Sequence, residues 1–461
     1  MFDPVLAEVR FGCGLSPRVA APDGVAAMLE GLVAPDVMAE RFPIEDFETF
    51  RERMAEKQRL AKFVKKNRET EEGKATAKQI KLMQRAARED WLKWMAAHIS
   101  RRVHTATGFR ERVVFFWADH FTATGKNGLI RRATSPYMQS ALRPRVAGRF
   151  EDLLVEAVTH PVMLQYLDQA RSTGPNSPAT LARPDKRGMN ENLAREVLEL
   201  HTLGVGGPYT QGDVRQLAEL LTGLTFDAEN GRKFSKGWAE PGAETVLGKT
   251  YGGGKNAHFR DIEAALRDIA NHPAVAGHLA RKLVVHFVSD EPDEALVASV
   301  ADVWRESGGD LMAVYGALLE HPAAWAPERR NFKPAFDFMA SACRALDMPH
   351  EAMVGLSEAE FRARMQGPLS MMGHVWQKPD GPDGLPEEDA AWLTPQGVAA
   401  RLQWAVTVPQ LMLAELPDPR GFVDVALGPD APEAVRFAAS AAESRADGIG
   451  LVLASAAFQR V

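Results

Sequence analysis

Apolar side chains recur at helical spacing along most of this chain, whereas the alternation typical of β-strands is scarce. Trp91, Trp94, Met95 and His98 follow one another at helical intervals. Residues 109–120 form a denser run, in which 113–118 is apolar on every side, so we expect that helix to be buried all round in the core. The spacing therefore predicts a mainly α fold: an irregular multi-helix bundle with long Gly/Pro-rich loops and little or no β-sheet.

Composition divides the chain into three expected parts. We expect short helices packed on the body in residues 1–48, a basic charged helical hairpin or arm in residues 49–103, and the main helical domain in residues 104–461. Between Arg51 and Arg102 there are sixteen Lys or Arg and seven Asp or Glu, although the whole chain carries a formal charge of −6. Such a basic segment is typical of a solvated hairpin, and it is also where a protein partner would bind.

Three His-Pro pairs each separate two apolar helical runs. They are His160-Pro161, His272-Pro273 and His321-Pro322. Proline disfavours helical geometry in the residue before it and suits the first turn of a helix, so each pair predicts a helix-helix junction. At the end of the preceding helix, we expect the helix dipole to favour a cationic histidine.

Residues 190–200 predict one sharply two-faced helix at the centre of the chain. Arg195 stands four residues from both Glu191 and Glu199, which is the spacing of a salt-bridge ladder on an exposed helix. The same polar face could instead line a cavity, where carboxylates bind a metal ion or act as acid and base. Periodicity alone leaves both interpretations open.

A set of motifs resembles the bacterial family catalogued as domain of unknown function 1800. The resemblance covers about residues 10–404, and no activity is securely established for the family. Its elements, in this chain, are Trp117-x-x-His120-Phe121, Met163-Leu164-x-Tyr166-Leu167-Asp168, Asn190-Glu191-Asn192-x-Ala194-Arg195-Glu196-x-x-Glu199-Leu200, Tyr209-Thr210-x-x-Asp213-Val214, Leu221-Thr222-Gly223, Ala280-Arg281-Lys282-Leu283 with Phe287-Val288, and Ser307-Gly308-Gly309-Asp310-Leu311. Where relatives tend to have Gly-Trp-Pro, this chain has Gly384-Leu385-Pro386.

The resemblance favours a shared interior site over a solvated surface for the polar face. The candidate catalytic residues are His120, Asp168, Glu196 and Glu199; the candidate substrate-binding residues are Asn190, Asn192 and Arg195; and the candidate metal ligands are His120, Glu196 and Glu199. A divalent metal is the cofactor that such a set would hold. We interpret His201, on the apolar arc, as a core or helix-end histidine and not as a ligand.

Two functions from different classes follow from these candidates. The first is an enzyme with a carboxylate/histidine site, metal-dependent or acid-base, in an interhelical cavity. The second is a non-catalytic scaffold or assembly factor that binds a protein partner through the basic arm 51–102. Nucleic acid is the least favoured partner, because acidic residues are interleaved in the arm. The sequence leaves open whether the chain is an enzyme.

Several common classes lack support in the sequence. Gly248-Lys249-Thr250 ends like a phosphate-binding loop, but Ala243 stands where that motif needs glycine. The nucleophile elbow Gly-x-Ser-x-Gly and the zinc motif His-Glu-x-x-His are absent. With only Cys13 and Cys343, the chain builds no cysteine-rich zinc site. No apolar stretch is long enough to span a bilayer, and the first residues do not read as a secretory signal, so we expect a cytoplasmic protein.

Overall fold

The computed structural model describes residues 1–254 and 257–461, and helices dominate that part of the chain, as predicted. The first part of the chain, residues 1–120 of the described residues, contains six α-helices, of which the two longest form a hairpin. They are α1 Pro4–Leu6, α2 Val25–Val33, α3 Val37–Arg41, α4 Phe47–Lys66, α5 Glu71–His104 and α6 Gly108–His120.

The middle of the chain contains shorter helices and four short strands. They are α7 Thr134–Tyr137, α8 Phe150–Thr159, α9 Pro161–Tyr166, α10 Pro178–Ala182, α11 Asn192–Leu198, α12 Gln211–Leu221, β1 Leu224–Asp227, β2 Gly231–Phe234, β3 Ala243–Val246, β4 Lys249–Gly252, α13 Phe259–Ala270, α14 Pro273–Phe287, α15 Glu294–Ser307 and α16 Leu311–Glu320.

The last part of the chain is again helical. Its helices are α17 Ala335–Ala345, α18 His350–Val354, α19 Glu358–Phe361, α20 Gly367–Met371, α21 Asp389–Trp392, α22 Pro395–Thr407, α23 Pro409–Met412, α24 Pro419–Leu427, α25 Glu433–Ala441, α26 Arg445–Ala454 and α27 Ala456–Gln459. Buried apolar side chains from α1 to α27 belong to one contiguous cluster.

Helix α6 lies in the middle of this cluster. Val113, Phe116 and Trp117 are at most 2% exposed, as the all-apolar run predicts. Phe115 and Asp119 are only partly buried, because they line a cleft between α6 and the segment that leads into α21. The predicted burial on every side therefore fails along one stripe of α6, and that stripe belongs to the candidate site.

The sheet content is two antiparallel hairpins, β1-β2 and β3-β4, within residues 1–254 and 257–461. Residues 227–256 are rich in glycine, and the sequence predicts long Gly/Pro-rich loops with little or no β-sheet, so the strands β2, β3 and β4 differ from that expectation. Leu247 and Gly248, which connect Val246 to its partner Lys249, both have positive φ, at 50° and 77°. This is the two-residue turn of a tight hairpin. Gly248-Lys249-Thr250 is thus a hairpin turn, in agreement with the rejection of a phosphate loop.

The three His-Pro pairs lie at helix-helix junctions, as predicted, but their histidines do not act as helix-end cations. His160, His272 and His321 are the N-cap residues of the following helical segments, and each Nδ1 accepts a hydrogen bond from the backbone N–H two residues later, at 3.2 Å. A nitrogen that accepts carries no proton. The helix start, which presents free N–H groups, decides the role of these imidazoles.

Helices α4 and α5 pack against each other as a hairpin, and Asn67–Thr70 form its turn. From Glu56 to Ala86 only Gly73 is buried, whereas most of Trp91–Val103 is buried in the core. The hairpin tip therefore projects from the core while the second half of α5 belongs to it. Within the described residues, no helix is both long and apolar enough to cross a bilayer.

Candidate active site

The central helix has the two faces that its sequence predicts. Leu193, Ala194, Val197 and Leu198 are fully buried, whereas Asn192 is exposed. The α-helical part is shorter than predicted: it runs from Asn192 to Leu198 and continues as a π-helical turn, Glu199–Leu203. Asn190 stands before the helix, where its side-chain oxygen accepts from the N–H of Asn192 at 2.8 Å.

The polar face forms the predicted salt-bridge ladder. Arg195 lies 3.1 Å from Glu199 and 3.6 Å from Glu191, and it donates a further hydrogen bond to Gln211 at 2.9 Å. Its side chain is 38% exposed. Its donors are thus used within the molecule at a partly open surface, and the substrate-binding role of Arg195 stays a prediction from sequence.

Two of the carboxylates on this face have different surroundings. Burial raises the pKa of Glu196, and the neighbouring charges of Glu199 and Asp383 raise it further, against the opposing effect of Arg195. Asp168 lies apart: it has a left-handed backbone, its side chain is 54% exposed, and it forms an ion pair with Lys126 at 2.5 Å. The expectation that Asp168 faces His120 receives no support from these contacts.

His120 forms a hydrogen bond to the π-helical turn. Its Nε2 donates to the carbonyl oxygen of His201 at 3.2 Å, and His278 Nε2 likewise lies 3.3 Å from the carbonyl of Leu200. Burial lowers the pKa of His120 well below its usual range, and the nearby Lys282 lowers it further. His120 is therefore a neutral imidazole that satisfies carbonyls freed where the helical pattern ends.

His201 is fully buried, which confirms that it is a core histidine. Burial lowers its pKa to about 3. In residues 1–254 and 257–461, no three His, Cys, Asp or Glu side chains are placed to hold a metal ion. The metal role of His120, Glu196 and Glu199 stays a prediction from sequence.

A second group of polar residues lies on the open stripe of α6. The backbone N–H of Leu385 donates to both carboxylate oxygens of Asp119, at 3.0 and 3.1 Å. Gly384, just before it, has a φ of +85°, and a Cβ there would stand 2.6 Å from one Asp119 oxygen. Only glycine fits this close approach, so the Gly384-Leu385-Pro386 loop is built against Asp119.

A carboxylate–histidine pair faces the same cleft. His286, on α14, places Nδ1 at 3.0 and 3.2 Å from the two carboxylate oxygens of Glu387. Since Nδ1 donates its proton to the carboxylate, Nε2 of the neutral ring is an acceptor. Nε2 is buried and has no hydrogen-bond partner among the described residues. Phe116 packs edge-on against the ring, at 5.2 Å between centroids.

These residues enclose a cavity of about 50 Å³. Its titratable lining includes Asp119, His286 and Glu387 together with the ion-paired Arg102 and Asp337, and Phe336 and Trp392 are among its apolar walls. A neighbouring cavity of about 70 Å³ shares Asp119 and Leu385. A buried water needs roughly 10–15 Å³ of such space, so the enclosed part of the cleft holds a few water-sized groups.

A fixed ion pair forms one wall of the cavity. Arg102 and Arg112 both pair with Asp337, the latter at 3.4 Å. Burial alone would raise the pKa of Asp337, but the two guanidinium groups lower it far below its usual range. Arg102 also lies over the ring of Phe115, 4.1 Å from the centroid. The two guanidinium groups and the one carboxylate leave this group of three residues with one net positive charge.

The two carboxyl groups in the cleft differ in their protonation. Burial and the charge of Glu387 raise the pKa of Asp119 to about 8, against the lowering effect of the Leu385 N–H. Burial would also raise the pKa of Glu387, but His286 lowers it below its usual value. At neutral pH Asp119 is therefore protonated and Glu387 ionised. Two carboxyl groups whose pKa values are driven apart are a mark of acid-base sites.

Sequence reasoning missed this cleft, although each part of it stands beside a motif. Asp119 precedes His120, His286 lies between Leu283 and Phe287, and Glu387 follows the Gly384-Leu385-Pro386 loop. The departure of that loop from the family pattern was the available signal. Glu387 and its partner His286 are 101 residues apart in sequence, and periodicity along the chain does not indicate a contact over that separation.

The chain is a mainly α-helical protein with a cleft between its helices that Asp119, His286 and Glu387 line. The model of the family described as proteins of unknown function, DUF1800, matches residues 8–460, so the chain belongs to that family. No curated protein and no solved structure matches the chain.

Proposed function

We propose that this protein is an acid-base enzyme, and that hydrolysis is the reaction its cleft serves. The observation that carries the proposal is the His286 Nε2 atom, which is buried, without a partner among the described residues, and oriented by Glu387 through Nδ1. A carboxylate that holds an imidazole in one tautomer leaves the opposite nitrogen free to take a proton. Asp119, in the same cavity, supplies the complementary acid.

The proposed step moves two protons. His286 Nε2 removes a proton from a water in the cleft, and the water oxygen attacks the substrate. The Asp119 carboxyl gives its proton to the departing group. Glu387 stabilises the imidazolium that forms on His286. Transfer of the Nε2 proton from this imidazolium to Asp119, through solvent, restores the starting state. Residues of the central helix lie outside this step. Asp383, in the loop before Gly384, links the two places electrostatically, because its charge raises the pKa of both Glu196 and Asp119.

A matched pair of variants tests the proposal. Glu387→Gln keeps the shape of the side chain but removes the charge that orients His286. Glu388→Gln makes the same change on the next residue, whose side chain is exposed. Wild type and both variants are incubated with a panel of esters, amides and glycosides, and product is followed by mass spectrometry. We expect turnover by wild type and Glu388→Gln, and a loss of about 10³–10⁴-fold in Glu387→Gln. Equal turnover by all three would overturn the proposal.

A direct measurement of the protonation of Asp119 complements the panel, because it does not require that the panel contain the substrate. The carboxyl stretch of a buried protonated acid is visible by infrared difference spectroscopy, and the Asp119→Asn variant identifies the band. Asp119 should be protonated at about pH 7. An ionised Asp119 at that pH would remove the acid from the proposed step.

The hairpin tip favours a second candidate function, the binding of a partner. Residues 56–86 contain ten Lys or Arg and four Asp or Glu, and they project from the core with only Gly73 buried. An exposed cationic arm attracts an anionic surface at long range, and salt screens that attraction. Lys62→Glu with Lys66→Glu should abolish co-purification of such a partner, while Glu387→Gln leaves it intact.

A further inference from the structure

A larger cavity lies away from the acid-base cleft, where the ends of α3 and α5 meet the segment before α18. Its volume is about 570 Å³. Its polar lining includes Ser16, Arg18, Arg41, His104 and His350. None of its lining residues lines the two cavities around Asp119. A chamber of this size is in the range of small-molecule binding sites.

Two imidazoles are held at this cavity by one aromatic ring. His104 stacks on Phe42 at 5.4 Å between centroids, with an interplanar angle of 25°, and His350 packs on the same ring at 4.9 Å. Phe42 itself is only 3% exposed, so the ring is a fixed support. Ser100 Oγ lies 2.8 Å from His350 Nδ1, which fixes the second imidazole.

Arg41 contributes a positive charge to the lining of this cavity. Its guanidinium lies 5.0 Å from the centroid of the Phe42 ring, and it forms no ion pair or hydrogen bond with another side chain among the described residues. Arg18, by contrast, pairs with Asp347. The remaining charged group in the lining is the carboxylate of Glu351. With both imidazoles neutral, two arginines and two carboxylates balance.

Burial, more than the neighbouring charges, keeps the pKa of both imidazoles below the usual value for histidine. Burial lowers the pKa of His104, and Arg41, His350 and Arg18 lower it further, against Asp347. Burial likewise lowers the pKa of His350, and Arg41 adds to the effect, against Glu351. An anion placed among Arg41, His104 and His350 would reverse this and favour protonation of both rings.

We propose that this cavity binds the phosphoryl group of a small phosphorylated molecule, between Arg41, His104 and His350, with uptake of protons by the two imidazoles. All three groups surround the Phe42 ring, and a tetrahedral dianion accepts hydrogen bonds from one guanidinium and two imidazolium groups. The volume exceeds what a free oxyanion needs, so the rest of the molecule occupies the remainder of the chamber. This site is independent of the proposed hydrolysis.

Sulfate is the first probe, because its charge stays constant between about pH 5.5 and pH 8, where histidine titrates. Binding to the full chain is measured by isothermal titration calorimetry at both pH values. We expect sulfate to bind about tenfold more tightly at the lower pH, and a His104→Asn/His350→Asn variant to lose that difference. Affinity independent of pH in the wild type would overturn the proton-uptake mechanism.

Arg41→Gln and Arg68→Gln form a matched pair for charge. Arg68 is exposed and precedes α5, whose thirty-four residues end at His104, so about 50 Å of helix separates it from the cavity. Arg41→Gln should weaken sulfate about tenfold, and Arg68→Gln should not. Equal affinities would overturn the site. Glucose 6-phosphate, the second probe, should bind more tightly than sulfate; if it does not, the cavity is a site for free anions and the proposed ligand is wrong.

Discussion

The Leu385 backbone N–H lies 3.0 and 3.1 Å from the two carboxylate oxygens of Asp119, across 266 residues of sequence. This contact joins the core helix α6 to the loop before α21, and it holds the carboxyl group at the edge of the cleft. The loop therefore shapes the candidate site, while the Leu385 N–H by itself lowers the pKa of Asp119 against the larger effect of burial.

Gly384→Ala should destabilise the protein by about 1–3 kcal/mol, because the new Cβ would meet the Asp119 carboxylate and an L-residue would be held at a φ of +85°. Chemical denaturation measures the change. Gly277→Ala is the matched control: a Cβ there has no neighbour within 4 Å, and it lies inside α14. The control should be neutral or stabilising by up to about 1 kcal/mol. Equal effects of the two variants would contradict the close approach.

Asp119→Asn should change how stability depends on pH. The pKa of Asp119 is raised to about 8 in the folded state, so between about pH 4 and pH 8 the folded protein holds a proton that the unfolded chain has lost. This group's contribution to stability is thus fully present below pH 4 and declines as pH rises toward 8. Asparagine has no such proton, so its stability relative to wild type should rise from pH 5 to pH 8.

Denaturation of wild type and Asp119→Asn at several pH values gives that difference directly. Asp185→Asn, on an exposed side chain, is the control for loss of one negative charge. A difference between Asp119→Asn and wild type that is constant with pH would mean that Asp119 titrates at its ordinary pKa.

His321→Ala should cost about 0.5–2 kcal/mol, because the N–H of Ala323 loses the acceptor that caps the helical segment Pro322–Trp325. His321→Asn should retain most of the stability, since the asparagine side chain accepts the same hydrogen bond. The measurement is the free energy of unfolding in urea. If histidine acted instead as a cation at the end of α16, asparagine would lose as much as alanine.

Gly73→Ala should disturb the hairpin tip without unfolding the core. A Cβ on Gly73 would stand 1.7 Å from the carbonyl oxygen of Asn67, so the turn between α4 and α5 must rearrange. Hydrogen exchange of backbone amides should accelerate around residues 60–80 and stay unchanged in the buried half of α5. Unchanged exchange at the tip would show that the turn tolerates the side chain.

The expectations that were correct concern structure that is set by residues close together in sequence. Helix α6, the two faces of 192–198 and the three His-Pro junctions depend on spacing within a few turns of helix, which the chain carries in its order of residues. The three strands among residues 231–252 were missed because they are only four residues each, pair locally, and owe one tight turn to positive φ at Leu247 and Gly248.

What the amino-acid order determined by itself is therefore the helical class, the buried helix α6, the family and the two faces of the central helix. The salt-bridge ladder of Arg195 was one of two interpretations that the sequence left open. Tertiary structure alone decided which polar groups meet. His286 finds Glu387 and Asp119 finds Leu385 because distant segments pack on one core, and the burial that results drives the pKa values of Asp119 and Glu387 apart. Desolvation and close charge depend on distance in space, and distance in space is the quantity that periodicity along the chain does not contain.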